Sequence, residues 1–193
     1  KAIIIAAGMG KRLGNLTKSL PKPLMDVNGK SILEHQIILF HKFGIKDVVI
    51  IRGPHKEKYN LNNVRYIDDT DYHNHNVLGS LMMAKKEMND DVIISYGDII
   101  FDEKIMEQIM HFDNDAGLVI DQDWIKNYKN KSKELLDKVT VVGIQNNSII
   151  RIGYNENMNL NDDIELAEFV GIIKLSKKIS HIFTNIFLKL ETN

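Results

Sequence analysis

Short, almost uniformly apolar runs recur along the chain and alternate with helix-like patterns. Three such runs occupy Ala2–Ala6, 48–51 and 91–96. Strands that are buried on both faces, as in parallel sheets, show this pattern. Residues 31–43 instead place apolar side chains three and four positions apart, which predicts a helix that Ser31 caps and Gly44 ends. This order predicts βαβ units in an α/β fold with a mainly parallel sheet.

The remaining patterns extend this order. Further helices are predicted over three segments: 76–88, 102–111 and a last helix that Ser176 caps. Further strands are predicted over 64–67, 117–120, 139–144, 149–152 and 169–175. The third and fourth of these strands flank Asn146-Asn147, which predicts a hairpin. The chain shows no repeat and no linker, so one domain over 1–193 is predicted. The sequence leaves open that a C-terminal segment of that domain is missing from these residues.

Composition excludes several classes of partner. The formal net charge of −1 argues against a general attraction to nucleic acid or anionic membranes. With no cysteine, the chain has neither disulfides nor thiolate metal sites. No apolar run reaches the roughly 18–20 residues that a membrane span needs, and the chain begins in a strand rather than a secretory signal. We expect a cytoplasmic protein without nucleic-acid or membrane partners.

The first strand runs into a glycine-rich, basic loop. Glycines occupy positions 8, 10 and 14, and the loop carries four cationic residues before the first acidic residue of the chain, Asp26. Backbone amides in such a loop bind anions, and neighbouring cations strengthen the binding. Leu13 replaces the third glycine of a G-x-G-x-x-G fingerprint, and no P-loop motif is present. The loop therefore predicts a polyphosphate site of another kind, with a plain connecting turn as the alternative.

At this point the chain resembles a known family. Positions 6–13 read A-A-G-M-G-K-R-L, Thr17 follows, and positions 21–24 read P-K-P-L. This pattern is similar to the signature of nucleotidyltransferases, which join an NTP to a phosphorylated acceptor. The resemblance implies a three-layer, Rossmann-like nucleotidyltransferase fold with a mainly parallel mixed sheet. It also implies that the following loop residues contact the nucleotide: Ala6, Ala7, Gly8, Met9, Gly10 and Lys22.

A second motif, Tyr96-Gly97-Asp98, follows the predicted strand 91–96. Ligands of open α/β sheets bind beyond the carboxyl ends of the strands, where the glycine loop also begins. A carboxylate there can hold Mg²⁺ together with phosphate oxygens and water. The resemblance implies that Asp98 is this metal ligand and that Gly97 lies at the nucleotide. The alternative is an ordinary turn aspartate.

A polar segment opens the predicted helix 76–88. The resemblance implies that Asn76 and Ser80 read the base and ribose of the nucleotide, whereas the alternative for Asn76 is simple helix capping. His73 and His75 lie close to Asp71, a pattern that can hold a metal ion. Loop histidines are more often solvated polar residues, which is the interpretation we favour.

Acidic and aromatic residues cluster after the predicted strand 117–120. Asp121, Asp123 and Trp124 can bind a cationic ammonium through charge and cation–π attraction. Trp124 as a packing residue is the alternative. Glu168 begins an E-F-x-G segment that the resemblance places near the acceptor. Together these segments look like cytidylyltransferases acting on small amino-phosphonates or phosphocholine, above all 2-aminoethylphosphonate cytidylyltransferases, and so imply a part in phosphonate metabolism.

The resemblance implies transfer of CMP from CTP to a small phosphonate or phosphate acceptor, such as 2-aminoethylphosphonate or phosphocholine. Arg12 would hold the β- and γ-phosphates, Lys22 the α-phosphate, and Asp98 a catalytic Mg²⁺. The family's second metal carboxylate, in an E-x-D segment, has only Glu191 as a counterpart near the end of this chain. A sugar-1-phosphate nucleotidylyltransferase and a nucleotide-binding domain without turnover are therefore kept as alternatives. A homodimer is also left open.

Overall fold

The computed structural model describes residues 1–10, 20–158 and 163–191. The strands are β1 (Ala2–Ala6), β2 (Asp26–Val27), β3 (Lys30–Ser31), β4 (Val48–Arg52), β5 (Arg65–Asp68), β6 (Val92–Tyr96), β7 (Ala116–Asp121), β8 (Thr140–Gln145), β9 (Ser148–Tyr154) and β10 (Glu165–Leu175). The α-helices are α1 (Ile32–Lys42), α2 (Val77–Met83), α3 (Glu103–Met110), α4 (Lys133–Asp137) and α5 (Lys177–Glu191). Short 3₁₀ turns cover Lys22–Leu24, Lys56–Lys58, Lys85–Glu87, Trp124–Tyr128 and Asn155–Asn157.

The chain forms two compact units. Unit 1 comprises Lys1–Gly117 and Ile173–Asn193, and unit 2 comprises Leu118–Ile172. Both boundaries fall within strands, β7 and β10, rather than in a linker rich in glycine, proline or serine. Because continuous strands connect the two units, the sequence shows no linker between them.

The sheet of unit 1 is parallel and has a switch point. Its strands β5, β4, β1 and β6 lie side by side in that order, and each neighbouring pair is parallel. The chain runs outward from β1 through β4 to β5, and then returns to place β6 on the other side of β1. Loops that leave β1 and β6 at their carboxyl ends therefore diverge and open a crevice. The predicted α/β fold with a mainly parallel sheet is confirmed.

Helices cover both faces of this sheet. On one face, Ile3 of β1 belongs to a buried apolar cluster that includes Leu81 of α2, with Phe183 of α5 packed against it. On the other face, the buried Ser95 of β6 donates a hydrogen bond to Gln36 of α1, with 2.7 Å between the oxygens. Successive side chains on a strand point to opposite faces, so the apolar runs of the sequence supply both interfaces. Unit 1 is a three-layer α/β structure.

Helix α1 begins and ends where the sequence predicts. The Ser31 hydroxyl accepts a hydrogen bond from the Glu34 amide, and the Glu34 carboxylate accepts one from the Ser31 amide. This reciprocal capping box satisfies two backbone donors at the start of the helix. Gly44 follows the helix with a φ of +79°, a left-handed conformation that favours glycine. The short hairpin β2–β3 before the helix was not predicted, because two-residue strands are too short to show a pattern.

The predicted helix over 76–88 is shorter in the structure. Helix α2 ends at Met83, and the 3₁₀ turn Lys85–Glu87 follows. In that turn the Glu87 amide donates to the Ala84 carbonyl at 2.8 Å, three residues back rather than four. The tighter turn leaves Ala84 and Met88 buried in the apolar core of unit 1. Core packing therefore overrides the helical periodicity of the segment.

Unit 2 contains an antiparallel hairpin and a small core of its own. Strands β8 and β9 pair around Asn146 and Asn147, whose φ values of +49° and +59° fit the type I′ turn that hairpins favour. The predicted hairpin is confirmed. Strand β10 pairs antiparallel with β8, and β7 pairs with β10. Helix α4 was not predicted, because five residues are too few to show helical periodicity.

Candidate active site

A cavity of about 690 Å³ opens at the carboxyl ends of β1 and β6, the switch point of unit 1. Residues from three loops and from the start of α2 form its wall. The described lining residues are Ile5, Ala6, Ala7, Gly8, Met9, Gly10, Lys22, Pro23, Tyr72, His75, Asn76, Val77, Ser80, Tyr96 and Asp98. Every nucleotide-binding residue that the sequence suggested, apart from Gly97, is among them.

The described part of the glycine loop, 6–10, forms one side of the cavity. The buried Tyr59 hydroxyl donates a hydrogen bond to the Ala6 carbonyl at 3.0 Å and so fixes the point where β1 ends and the loop begins. Burial raises the pKa of Tyr59, so the hydroxyl keeps the proton that this hydrogen bond requires. Arg12, predicted to be catalytic, lies outside the described residues, as does Thr17 of the signature.

Lys22 and Asp98 meet in the cavity. The Lys22 ammonium and the Asp98 carboxylate are 2.7 Å apart, and each side chain keeps more than a third of its surface exposed. Lys22 begins a 3₁₀ turn between Pro21 and Pro23, whose rings fix φ and stiffen the segment. The two residues are 76 positions apart in the chain, and the fold places a cation and an anion side by side next to the glycine loop.

The backbone around Asp98 is anchored on two sides. The Gly97 amide donates to the Ile5 carbonyl at 2.8 Å, and a Cβ at position 97 would lie only 2.9 Å from the Ala6 Cβ. Glycine at this position thus lets the loop after β6 approach β1 closely. From the other side, the buried Gln36 amide donates to the carbonyls of Tyr96 and Ile99, which flank Gly97-Asp98. Nothing in the sequence distinguishes Gln36 from other residues of its helix.

The start of α2 supplies the polar part of the wall. Asn76 caps the helix by accepting a hydrogen bond from the Gly79 amide at 2.9 Å, and it also lines the cavity, so capping and contact with a ligand are compatible. Ser80 is almost fully buried, and its hydroxyl donates to Asp69 at 2.7 Å. Asp69 also lies 2.9 Å from His75, another lining residue. Asp69 could not be recognised from the sequence, because only packing buries this one of several loop aspartates.

The donor set of the cavity is compatible with a magnesium ion. Asp98 is the one carboxylate among the described lining residues. Within the described ranges, no group of three or more His, Asp or Glu side chains is placed to hold a metal ion, and this includes the region around His73, His75 and Asp71. Mg²⁺ usually takes one or two carboxylates and completes its shell with phosphate oxygens and water. Asp98 fits the role of such a single protein ligand.

Trp124, predicted to contact the acceptor, is a core residue of unit 2. Its side chain is 2 % exposed and packs with Val139, Val141 and Met158. Its indole N–H donates to the Leu166 carbonyl at 3.2 Å. The packing alternative accounts for this geometry. The signal that would have distinguished the two roles is burial, which depends on strands β8 and β10 far along the chain.

The other three predicted acceptor residues also lie in unit 2. Glu168 accepts a hydrogen bond from the Tyr128 hydroxyl at 2.7 Å, and burial together with this carboxylate raises the pKa of Tyr128 to about 12. Asp121 accepts hydrogen bonds from the Asp123 amide and from Asn127, and so holds the turn after β7. Their part in binding an acceptor stays a prediction.

The fold and the cavity define a class of protein. A Rossmann-like α/β sheet carries a glycine loop, a lysine and an aspartate at the switch point, where such sheets bind ligands. The chain belongs to the MobA-like NTP transferase domain family, whose model matches residues 2–126, more than half of the chain. Its relatives are nucleotidyltransferases, with cytidylyltransferases among them.

The chain is similar in sequence to two curated relatives and in structure to a solved protein. The chain is 27% identical over 188 residues to CTP:phosphoglutamine cytidylyltransferase of Campylobacter jejuni, covering 91% of this chain and 72% of that protein. It is 36% identical over 105 residues to choline-phosphate cytidylyltransferase of Streptococcus pneumoniae, covering 52% of this chain and 46% of that protein. It also resembles the structure of CTP:phosphocholine cytidylyltransferase from Streptococcus pneumoniae, with a TM-score of 0.74 and 22% identity over 100% of this chain and 77% of that one.

Because the sequence identity to this structure is low, the structural likeness establishes the shared fold alone. It therefore confirms the Rossmann-like nucleotidyltransferase fold and carries no assignment of base or acceptor. In the part of the chain that the structure describes, no helix has both the length and the apolar character needed to cross a bilayer.

Proposed function

We propose that this chain transfers CMP from CTP to a small phosphonate or phosphate acceptor and releases pyrophosphate. The observation that carries the proposal is the convergence of Lys22, Asp98 and the glycine loop on one cavity. The cytidylyltransferases among the relatives favour CTP as the donor, and the acceptors in the names of these enzymes carry a phosphate group.

In the proposed transfer, an acceptor oxygen attacks the α-phosphorus of CTP. A new P–O bond forms to the acceptor, the bond between the α-phosphorus and the bridging oxygen breaks, and pyrophosphate leaves with the electron pair. The acceptor oxygen is already anionic, so no general base is required. Such a reaction depends on positioning and on stabilisation of charge.

The chain's residues divide this task. Amides of the loop 6–10 bind the terminal phosphates, because they line the cavity beside the end of β1. Lys22 binds the α-phosphate oxygens and exchanges its contact with Asp98 for one with the nucleotide. Asp98 would hold Mg²⁺, and the ion would supply positive charge that stabilises the transfer. Arg12 is proposed to bind the β- and γ-phosphates, on the sequence resemblance alone.

The test is pyrophosphate release with CTP, UTP, ATP and GTP, each with 2-aminoethylphosphonate, phosphocholine and glucose-1-phosphate. We expect release with CTP and an amine-bearing acceptor. Release with glucose-1-phosphate alone would assign a sugar-1-phosphate nucleotidylyltransferase. Binding of CTP without release in any combination would assign a domain without turnover.

Substitutions at Lys22 and Asp98 test the roles in the site. We expect Lys22→Ala and Asp98→Ala each to lower the turnover rate by roughly 100-fold or more, the usual cost of losing a group that stabilises charge in a transition state. Lys42 forms an ion pair with Glu103 on the exposed surface of unit 1, away from the cavity lining. Lys42→Ala is the matched control and should leave the rate unchanged. Wild-type rates in both cavity variants would contradict the mechanism.

A further inference from the structure

Asp69 is a buried carboxylate that the proposed transfer does not use, yet it contacts two residues of the cavity wall. It follows β5, and its side chain is 0% exposed. One carboxylate oxygen accepts a hydrogen bond from the Asp71 amide at 3.1 Å and lies 2.9 Å from Nδ1 of His75. The other accepts a hydrogen bond from the Ser80 hydroxyl at 2.7 Å. Asp69 thereby connects the loop after β5 to the start of α2.

Packing holds this cluster in place. The imidazole of His75 lies directly against Gly79, where an added Cβ would be 3.0 Å from Cδ2 of the ring. Glycine at this position therefore lets the ring pack close to the first turn of α2. With His75 against the helix and Ser80 almost fully buried, neither side chain can turn away from Asp69 without losing its packing.

The contacts of Asp69 fix the hydrogen-bonding polarity of its two partners. A serine hydroxyl carries one hydrogen, and because Ser80 donates it to Asp69, only lone pairs of Oγ remain for a ligand. One Asp69 oxygen accepts a hydrogen bond from the Asp71 amide, because a backbone amide can only donate. Nδ1 of His75 must therefore donate its hydrogen to the same oxygen. Nε2, the other nitrogen of the ring, lies 3.8 Å from the Asp71 carboxylate. The wall therefore offers an acceptor where Ser80 lines it.

Asn76 supplies the opposite polarity one helical turn away. Its carbonyl oxygen is taken by the Gly79 amide, which leaves the NH₂ group as the part that can contact a ligand. A nucleobase that fits this wall therefore presents a donor to Ser80 and an acceptor to Asn76. Cytosine presents both, because its exocyclic amino group donates and its O2 accepts. Uracil has a carbonyl in place of the amino group and would set oxygen against oxygen.

We propose that Asp69 is a positioning residue that sets base specificity, an inference that rests on the proposed function. By holding the hydrogen of Ser80, it makes the cavity wall an acceptor at this point and selects a base with an exocyclic amino group, as in cytosine, over uracil.

The deciding variant is Asp69→Asn. The oxygen of the new amide is expected to take the position that the Asp71 amide and His75 face, because both donate. Its NH₂ group then faces Ser80 and donates to Oγ, which releases the Ser80 hydrogen to point into the cavity. The wall changes from acceptor to donor at this point without a change in volume. We expect the ratio of kcat/KM for CTP to that for UTP to fall by about tenfold or more, with an absolute gain for UTP.

Two further variants separate specificity from stability. Ser80→Ala removes the acceptor, so the same ratio should fall without the gain for UTP. Asp68→Asn makes the same charge change at the neighbouring residue, which pairs with Arg52 and Lys56 outside the cavity lining, and should leave the ratio unchanged. A structural role for Asp69 would lower the rates with both nucleotides alike. It would leave their ratio unaltered.

Equilibrium binding of CTP and UTP by calorimetry gives the same ratio independently of turnover. A chain that prefers CTP in binding but releases no pyrophosphate would contradict the proposed transfer, and the loss of that preference in Asp69→Asn would still support the role of Asp69. A wild-type chain that binds CTP and UTP equally overturns the inference about Asp69. An unchanged preference for CTP in both Asp69→Asn and Ser80→Ala overturns it as well.

Discussion

Replacing Gln36 by methionine removes the side chain that anchors the backbone on both sides of Asp98. Gln36 is 1% exposed, and its amide NH₂ donates to the carbonyls of Tyr96 and Ile99 at 2.9 and 2.7 Å. Its carbonyl accepts a hydrogen bond from the Ser95 hydroxyl at 2.7 Å. Methionine has a similar length and helix propensity, so the substitution deletes these three hydrogen bonds with little change in volume.

The expected loss of stability follows from the groups that are left without partners. A buried polar group that loses its hydrogen bond costs about 1–3 kcal/mol. Two backbone carbonyls and the Ser95 hydroxyl are affected, and the greater apolar character of methionine offsets part of the cost. We expect Gln36→Met to lower the free energy of unfolding by about 2–4 kcal/mol. Because the carbonyls flank Gly97-Asp98, we also expect the turnover rate to fall by about tenfold in protein that remains folded.

The assay is urea denaturation followed by circular dichroism at 25 °C, combined with pyrophosphate release in the absence of urea. Ser95→Ala is the matched control, since it deletes one of the three hydrogen bonds and leaves both carbonyl contacts of Gln36 intact. It should cost about 1 kcal/mol and leave turnover unchanged. If Gln36→Met costs no more than Ser95→Ala and turns over at the same rate, Gln36 does not position Asp98.

Two further predictions concern the stability of unit 1. Hydrogen bonds from Arg65, together with those from Lys1, lower the pKa of Glu87 to about 2, so the stability that Glu87 contributes is present above pH ~4.5 and is lost as the pH falls toward about 2. At pH 7 the free energy of unfolding of Glu87→Gln should be about 1–2 kcal/mol lower than that of the wild type. Urea titrations from pH 7 to low pH should therefore show a smaller loss of stability in the variant. Parallel curves of stability against pH would refute this. Ser31→Ala removes the capping box with Glu34 and should cost about 0.5–2 kcal/mol in the same assay, whereas Ser31→Thr, which keeps a hydroxyl, should cost less.

Features that depend on neighbouring residues in the chain were predictable from the sequence. Strand β1 occupies the predicted residues, and α1 begins at the predicted cap, because apolar spacing and capping chemistry are local. The hairpin around Asn146-Asn147 belongs to the same group, since its turn depends on two adjacent residues that tolerate positive φ. Helix α2 ends earlier in the chain than predicted, because the burial of Ala84 and Met88 in the core determines where it ends.

Part of the candidate site was predictable for a different reason. The glycine loop and Gly97-Asp98 each follow an apolar strand, and parallel strands bring their carboxyl ends to one edge, so their meeting follows from topology. The contact between Lys22 and Asp98 agrees with that expectation. Gln36 and Asp69 could not be recognised in the same way. Glutamine in a helix and aspartate in a loop are ordinary until packing buries them.

The sequence by itself determined the succession of strands and helices, the phosphate-loop signature and the membership of a nucleotidyltransferase family, because these depend on short-range patterns of residue type. The tertiary structure alone decided which polar side chains are buried and which partners they have. Contacts with residues elsewhere in the chain make Trp124 a core residue. In the same way, packing of the loop after β5 against α2 makes Asp69 the acceptor for Ser80 and His75. Burial removes water as a partner, and it is this loss that commits each polar group to one hydrogen bond and gives the cavity wall its chemical polarity.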